Sequence, residues 1–144
     1  MISRLRACAS YAVLALLCLP AVHPYLGGEV PRTNDLAMHV YRAFELEQLL
    51  RAGTLFPRWG PHLVHGYGYP IYNYFAYLSH YLITLVNLIT GSGYLWAYRL
   101  VVVVVTMASA CGAYLLARDL FASKTSGLLA ACLLYTSPSP RDRG

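Results

Sequence analysis

Three chemically active side chains recur at helical spacing in a polar stretch of this sequence: Asp35, His39 and Arg42. Positions i, i+4 and i+7 of a helix share one face, so these side chains would be neighbours. A carboxylate one turn from an imidazole can act as a general base with its partner, or supply two ligands to Mg²⁺ or Mn²⁺. We therefore take Asp35 and His39 as candidate catalytic residues. In the alternative, Asp35 only stabilises a helix N-terminus through the helix dipole, and His39 is a partly buried neighbour.

A second group of polar and aromatic residues follows in a stretch rich in proline and glycine. Arg58 offers a cation for a phosphate beside the aromatic surface of Trp59. Tyr67 and Tyr69 carry planar, hydroxyl-tipped rings that can stack on a sugar or sit among lipid headgroups, and Asn73 comes soon after. We take these five as candidate substrate-binding residues. The alternative is an ordinary aromatic belt at a membrane surface.

A helix is the element that must position the first group. Residues 35–52 predict an amphipathic helix that is preceded by a break at Pro31 and closed by Gly53, with Thr33 and Asn34 as candidate N-caps. Its apolar positions recur at helical spacing, which predicts that the helix lies on the membrane or on other helices. These positions are Leu36, Val40, Ala43, Phe44 and Leu50.

The composition indicates an integral membrane protein. Of the 144 residues, 58% are hydrophobic and 12% charged, where a soluble domain has about a quarter charged. The net charge is +5, and the charged residues cluster between long apolar runs. A disordered chain and a nucleic-acid partner are therefore excluded, and the lipid bilayer is the expected partner. The four cysteines are scattered in or beside apolar runs, which predicts buried thiols rather than a disulfide or metal site.

Apolar runs predict an all-α, polytopic transmembrane protein with three spans and a truncated fourth. The spans are expected at about 7–26, 71–89 and 94–116, with the last starting near 125. Thr90 to Gly93 predicts a tight turn between the second and third spans. A polar connection is expected at 117–124.

The orientation is predicted from basic residues near the first span. Arg4 and Arg6 place the N-terminus in the cytoplasm, so that residues 27–69 form an extracytoplasmic loop. A multi-pass protein of the cell membrane is thus expected. Arg118 and Lys124 would then lie outside, against the usual preference of positive charge for the cytoplasm, which leaves the opposite orientation open. A cleaved signal peptide is the alternative to the first span.

The end of the chain has a different character. Residues 132–142, CLLYTSPSPRD, resemble the translation of a transposase-type sequencing-library adapter. We therefore expect 132–144 to be a non-native tail and 1–131 to be the N-terminal part of a longer membrane protein. The alternative is a genuine cytoplasmic tail rich in serine and proline.

Several motifs together resemble a known family. They are Asn34-Asp35-(x)3-His39, then Gly53-(x)3-Pro57-Arg58-Trp59-(x)-Pro61, then Gly66-Tyr-Gly-Tyr-Pro70-(x)2-Asn73-Tyr74, and Ala117-Arg-Asp-Leu-Phe121. In this order the chain resembles, over roughly residues 7 to 131, the bacterial membrane proteins catalogued as "6-pyruvoyl-tetrahydropterin synthase-related". The name does not imply pterin chemistry here, because the sequence lacks the three-histidine zinc pattern of the soluble enzymes.

That family is in turn similar to the polytopic glycosyltransferases of the GT-C type, which use a polyprenyl-phosphate sugar as donor. Their first extracytoplasmic loop carries an essential acidic residue, and Asp35 occupies the matching place. Many GT-C members have two adjacent acidic residues where this chain has Asn34 and Asp35, so the resemblance leaves open whether a divalent cation is needed.

The resemblance implies a membrane glycosyltransferase that moves a sugar from a polyprenyl-phosphate donor to an envelope acceptor on the outer face. Asp35 would deprotonate the acceptor hydroxyl, and Arg58 would neutralise the leaving lipid phosphate. Two non-enzymatic alternatives stay open: a transporter or flippase of envelope lipids, and a structural anchor without a site.

Overall fold

The protein is all-helical, as the sequence predicts. The computed structural model describes residues 2–27, 35–74 and 77–136, with side chains from residue 10 to residue 134. Within these ranges no β-strand forms, and the one β-bridge joins Gly60 to Tyr69. The helices are α1 (Ile2–Leu26), α2 (Leu36–Arg51), α3 (Ile71–Tyr74), α4 (Leu78–Thr90), α5 (Tyr94–Leu120) and α6 (Lys124–Thr136).

The chain divides into two compact units, one made of residues 1–27 with 102–144 and one of residues 28–101. In the first unit α1 packs on α6. Small and apolar side chains of α1, α5 and α6 form its core: Leu14, Cys18, Ala110, Tyr114 and Ala131. Gly127 brings α6 close to α5, because a Cβ there would lie 2.7 Å from the carbonyl oxygen of Tyr114.

In the second unit α2 packs against α4 and the first two turns of α5. Ala43 of α2, Ile83 of α4, and Ala97 and Val101 of α5 form one buried cluster. A second cluster joins α2 to the loop that follows it and to α3, through Leu46, Leu63, Ile71 and Tyr72. This unit contains all the residues that the sequence singles out as a candidate site.

The helix predicted at 35–52 is confirmed as α2, but its buried face differs from the predicted one. Leu36 and Ala43 are buried as expected, Phe44 is exposed, and Leu46 is buried. The helix ends in a Schellman arrangement, in which Gly53 N–H donates to the Leu50 carbonyl and Thr54 N–H to the Leu49 carbonyl. The predicted caps and the Pro31 break lie outside the described residues.

One helix of the described residues is long and apolar enough to cross a membrane: α5, with 27 residues. It begins at the predicted residue but continues to Leu120, since the predicted connection contributes a further helical turn rich in alanine, leucine and arginine. The other apolar stretches, Ser10–Leu26, Leu78–Thr90 and Lys124–Leu134, are shorter. Three spans therefore remain a prediction.

The second predicted span, 71–89, consists in its described part of α3 and α4, with residues 75 and 76 outside the description. The 13 residues of α4 rise about 20 Å, which is less than the hydrocarbon layer. The predicted turn after it is confirmed: Gly91 takes a left-handed conformation with φ +62°. Asn87 holds this turn, since its carbonyl accepts from Gly91 N–H and its side chain from Gly93 N–H.

The predicted non-native tail is only partly described. Its first residues belong to α6, which continues to Thr136. Residues 137–144 lie outside the described part of the chain.

Candidate functional site

Two buried carboxylates lie on α2, two residues apart. Glu45 is 0% exposed and Glu47 is 5% exposed. A buried carboxylate is costly unless hydrogen bonds and positive charge compensate for the lost water. Each of the two has its own set of partners, and together they fix the surroundings of the candidate site.

Glu47 receives hydrogen bonds from three helices. Asn87 Nδ2 of α4 and Tyr94 Oη of α5 donate to its Oε2 at 3.0 and 2.6 Å. Arg51, one turn along α2, pairs with its Oε1 at 2.8 Å. Burial would raise the pKa of Glu47, but the bonds from Tyr94, Arg51 and Asn87 outweigh it and hold the pKa below its ordinary value.

Glu45 binds the loop that follows α2. Its carboxylate accepts the backbone N–H of His62 at 3.0 Å and lies 3.0 Å from His62 Nδ1. The His62 side chain is 66% exposed, so one edge of the ring faces the buried carboxylate and the rest is open. This carboxylate–imidazole pair was not among the sequence predictions.

Short-range contacts fix the loop between α2 and α3. Gly60 and Tyr69 exchange two backbone hydrogen bonds of 2.9 and 3.0 Å, which close the segment between them. Gly68, at φ +78°, lies against Trp59, whose Nε1 would be 2.4 Å from a Cβ there. Asn73 Nδ2 donates to the Arg58 carbonyl at 3.4 Å. The loop therefore gathers most of the predicted substrate-binding residues.

Asp35 and His39 lie one helical turn apart, and their side chains have different surroundings. Asp35 is exposed just before α2, and its side chain makes no capping hydrogen bond. His39 turns towards α4, where its Nδ1 lies 3.3 Å from His80 Nε2, and its ring stacks on Tyr98. Burial, then the charge of Arg42, lowers the pKa of His39, while Asp35 opposes this only weakly.

An open groove runs beside α2 and the loop. Its volume is about 630 Å³, within the range of small-molecule sites. Four apolar side chains line it, together with two tyrosines, one guanidinium and one imidazole. The lining residues are Met38, Tyr41, Arg42, Leu63, Val64, His65, Tyr69 and Ile71.

Only one of the predicted site residues, Tyr69, lines this groove. Arg58, Trp59, Tyr67 and Asn73 are exposed elsewhere on the loop and α3. Within the described ranges, no hydrogen bond or ion pair joins Asp35 to any of them, nor do three metal-ligating side chains meet in one cluster. The catalytic and metal-binding predictions thus remain untested by the geometry.

Sequence reasoning missed the two glutamates and their partners. For Glu47 a signal existed, since it lies four residues after Ala43 and three before Leu50 and so shares their apolar face. For Glu45 no such signal existed, because the groups that bury it come from the folded loop, including Gly60 and His62.

In comparisons with known proteins, the chain matches no protein-family model, no curated protein sequence and no solved structure.

Proposed function

We propose that this chain belongs to a multi-pass protein of the cell membrane, with its N-terminus in the cytoplasm and residues 27–69 outside. The support is that α5 is long and apolar, yet only 22% of its most apolar window is buried. A core helix of a soluble protein would be mostly buried. Large apolar side chains are exposed on both α4 and α5, including Leu85, Ile89, Leu100, Val104 and Leu116. A lipid environment would cover them.

The groove beside α2 is the proposed ligand site, and its lining is the observation that carries this proposal. A guanidinium and an imidazole, Arg42 and His65, stand among apolar and aromatic walls. A ligand that is complementary to this lining has an anionic group, a planar or hydroxylated group and a hydrocarbon part. A polyprenyl-phosphate sugar has all three, and the groove volume of about 630 Å³ suits its phosphate, its sugar and the start of its chain.

The proposed reaction is transfer of the sugar from this donor to an envelope acceptor. Arg42 would hold the phosphate and stabilise its negative charge as it leaves, and Tyr41 and Tyr69 would contact the sugar. The phosphate is assigned to Arg42 rather than to Arg58, because Arg42 lines the groove. The family resemblance implies Asp35 as the base, although Asp35 is not among the residues that line the groove. Mg²⁺ or Mn²⁺ could assist at the phosphate, without a defined ligand set.

A non-enzymatic transporter of envelope lipids is the second candidate, and a separate surface favours it. A groove of about 430 Å³ beside α4 is almost wholly apolar and suits a hydrocarbon chain without a reacting group. Its lining includes Leu50, Leu55, Phe56, Leu82 and Leu85. Both candidates bind the same class of lipid, but only the enzyme changes it.

Photoaffinity labelling tests the ligand site. A polyprenyl phosphate with a diazirine near its phosphate should label peptides containing Met38–Arg42 and Leu63–Ile71 in membranes that hold the full-length protein. Unlabelled polyprenyl phosphate should compete, whereas the uncharged polyprenol should compete poorly. Labelling confined to α4 and α5, or equal competition by polyprenol, would contradict the proposal that this groove binds the phosphate.

A further inference from the structure

Glu45 and His62 have the geometry of an oriented imidazole. The carboxylate is fully buried, and its Oε2 lies 3.0 Å from His62 Nδ1. The backbone N–H of His62 also donates to Oε1 at 3.0 Å. Two bonds to one carboxylate therefore fix both the position of the residue and the plane of its ring.

This arrangement selects one tautomer of the neutral ring. With Glu45 ionised, its oxygens only accept hydrogen bonds, and the proton of His62 then lies on Nδ1. Nε2 then carries the lone pair, at the edge of the ring that points away from Glu45. Because the side chain is 66% exposed, that edge is open to a ligand.

His62 directly precedes three residues of the loop that line the groove. Leu63, the next residue, is buried. Leu63, Val64 and His65 all line the groove. Tyr41, which also lines the groove, donates from its hydroxyl to the His62 carbonyl at 3.3 Å. The β-bridge between Gly60 and Tyr69 joins the two ends of the segment that contains His62. A preorganised group of this kind needs little rearrangement to act.

From this geometry we infer that His62, oriented by Glu45, accepts the proton of a hydroxyl-bearing acceptor at the groove rim. The inference rests on the proposed sugar transfer. As the acceptor oxygen forms its bond to the anomeric carbon, its proton passes to His62 Nε2. The bond from that carbon to the lipid phosphate breaks, and the phosphate leaves with the electron pair. The imidazolium then returns its proton to water. His62 would be the catalytic residue and Glu45 a positioning residue.

Chemical modification tests the dyad independently of sugar transfer. Diethylpyrocarbonate acylates the free nitrogen of a neutral imidazole, and mass spectrometry of the full-length protein in membranes gives the rate at each histidine. We expect His62 to react faster than His65, an exposed histidine of the same loop. In Glu45→Gln the His62 rate should fall towards that of His65. Equal acylation rates at His62 and His65, or a His62 rate that does not change in Glu45→Gln, would overturn the dyad.

The transfer assay tests the catalytic role. His62→Asn keeps a side-chain N–H that can reach Glu45 but has no base, so it should lower kcat by about 10²- to 10⁴-fold. The KM for the polyprenyl-phosphate sugar should stay unchanged. Glu45→Gln should lower kcat less and shift its pH profile, which a purely structural contact would not do.

The outcomes separate this inference from the proposed function. If wild type transfers no sugar but His62 still reacts in a Glu45-dependent way, the proposed transfer fails and the oriented imidazole stands. If wild type transfers sugar and His62→Asn keeps full kcat, the catalytic role of His62 is overturned. Loss of transfer in Asp35→Asn together with full transfer in His62→Asn would identify Asp35 as the base instead.

Discussion

Tyr94 Oη donates a hydrogen bond of 2.6 Å to the buried carboxylate of Glu47, which lies 47 residues earlier in the chain. This bond joins the first residue of α5 to the C-terminal part of α2. Asn87 of α4 donates to the same oxygen. One carboxylate oxygen therefore fixes the relative positions of three helices, and through α2 it supports one wall of the groove.

Tyr94→Phe should destabilise this unit. The hydroxyl donates to a charged, buried acceptor, and such a bond contributes about 1.5–3 kcal/mol. We expect the free energy of unfolding to fall by about that amount, measured by thermal unfolding of the purified protein in detergent. Tyr67→Phe, at a highly exposed tyrosine, is the matched control and should change stability by about 0.5 kcal/mol or less. An equal effect of the two variants would show that the Glu47 bond contributes nothing measurable.

Gly68→Ala should distort the loop more than Gly66→Ala does. Both glycines have positive φ, +78° and +90°, so alanine is strained at either position. At Gly66 a Cβ meets nothing within 4 Å, whereas at Gly68 it lies 2.4 Å from Trp59 Nε1. The additional loss of stability in Gly68→Ala, compared with Gly66→Ala, measures the overlap between this Cβ and the Trp59 ring.

Trp59→Ala provides the check on that interpretation. In the Trp59→Ala background the two glycine variants should become equally destabilising, because the overlapping ring is gone. If Gly68→Ala keeps its excess cost without the indole, the overlap with Trp59 is not the cause.

Stability should fall as the pH decreases from 7 towards 5, with part of the change due to His39. Burial and the charge of Arg42 lower its folded-state pKa below the ordinary 6.5. Between the lowered pKa of the folded state and the ordinary pKa of the unfolded chain, the unfolded chain binds more protons. The contribution of His39 to stability is therefore fully present above pH 6.5 and is lost as the pH falls through the folded-state pKa. Asp35 opposes the shift, and the His80 and Tyr98 rings lie beside the His39 ring.

His39→Gln should therefore show a smaller decrease in thermal midpoint over this pH range than the wild type does. His23→Gln, at an exposed histidine of the other unit, is the control and should keep the wild-type slope. Identical slopes in His39→Gln and wild type would contradict the contribution of His39.

The helix pattern of the chain was predictable, while the partners of its polar groups were not. Spacing of apolar residues and a glycine were enough to place α2 and its end at Gly53, because both signals are local. Leu46 was missed, since its burial depends on Leu63 and Ile71 from distant positions. The pairing of Glu45 with His62 spans 17 residues and exists only once the loop is closed.

The predicted Asp35–His39 face shows the limit of helical spacing as evidence. The spacing correctly places both residues one turn apart, and His39 N–H bonds to the Asp35 carbonyl at 3.0 Å. The side chains nevertheless have different surroundings, because α4 packs on only one side of α2 and presents His80 to the imidazole. Helical spacing shows which side chains can come into contact, and the packing of other helices determines which of them do.

Orientation in the membrane can be measured by cysteine labelling. In a protein whose native cysteines are replaced, a cysteine at Thr54 should react with a membrane-impermeant maleimide added outside, because the loop after α2 is proposed to be extracytoplasmic. A cysteine at Ser92, in the turn after α4, should be protected until the membrane is opened. Both sites are exposed in the fold, so packing does not explain protection. The reverse pattern would invert the topology.

Sugar transfer by an Arg42 variant tests the central claim most directly. Membranes containing the full-length protein should transfer labelled sugar from a polyprenyl-phosphate donor, and membranes without it should not. In Arg42→Gln the donor's KM should rise by about 10-fold or more, since a charged hydrogen bond to phosphate is lost. Arg118→Gln, in the other unit, should leave KM unchanged. No transfer by wild type, or an unchanged KM in Arg42→Gln, would contradict the account.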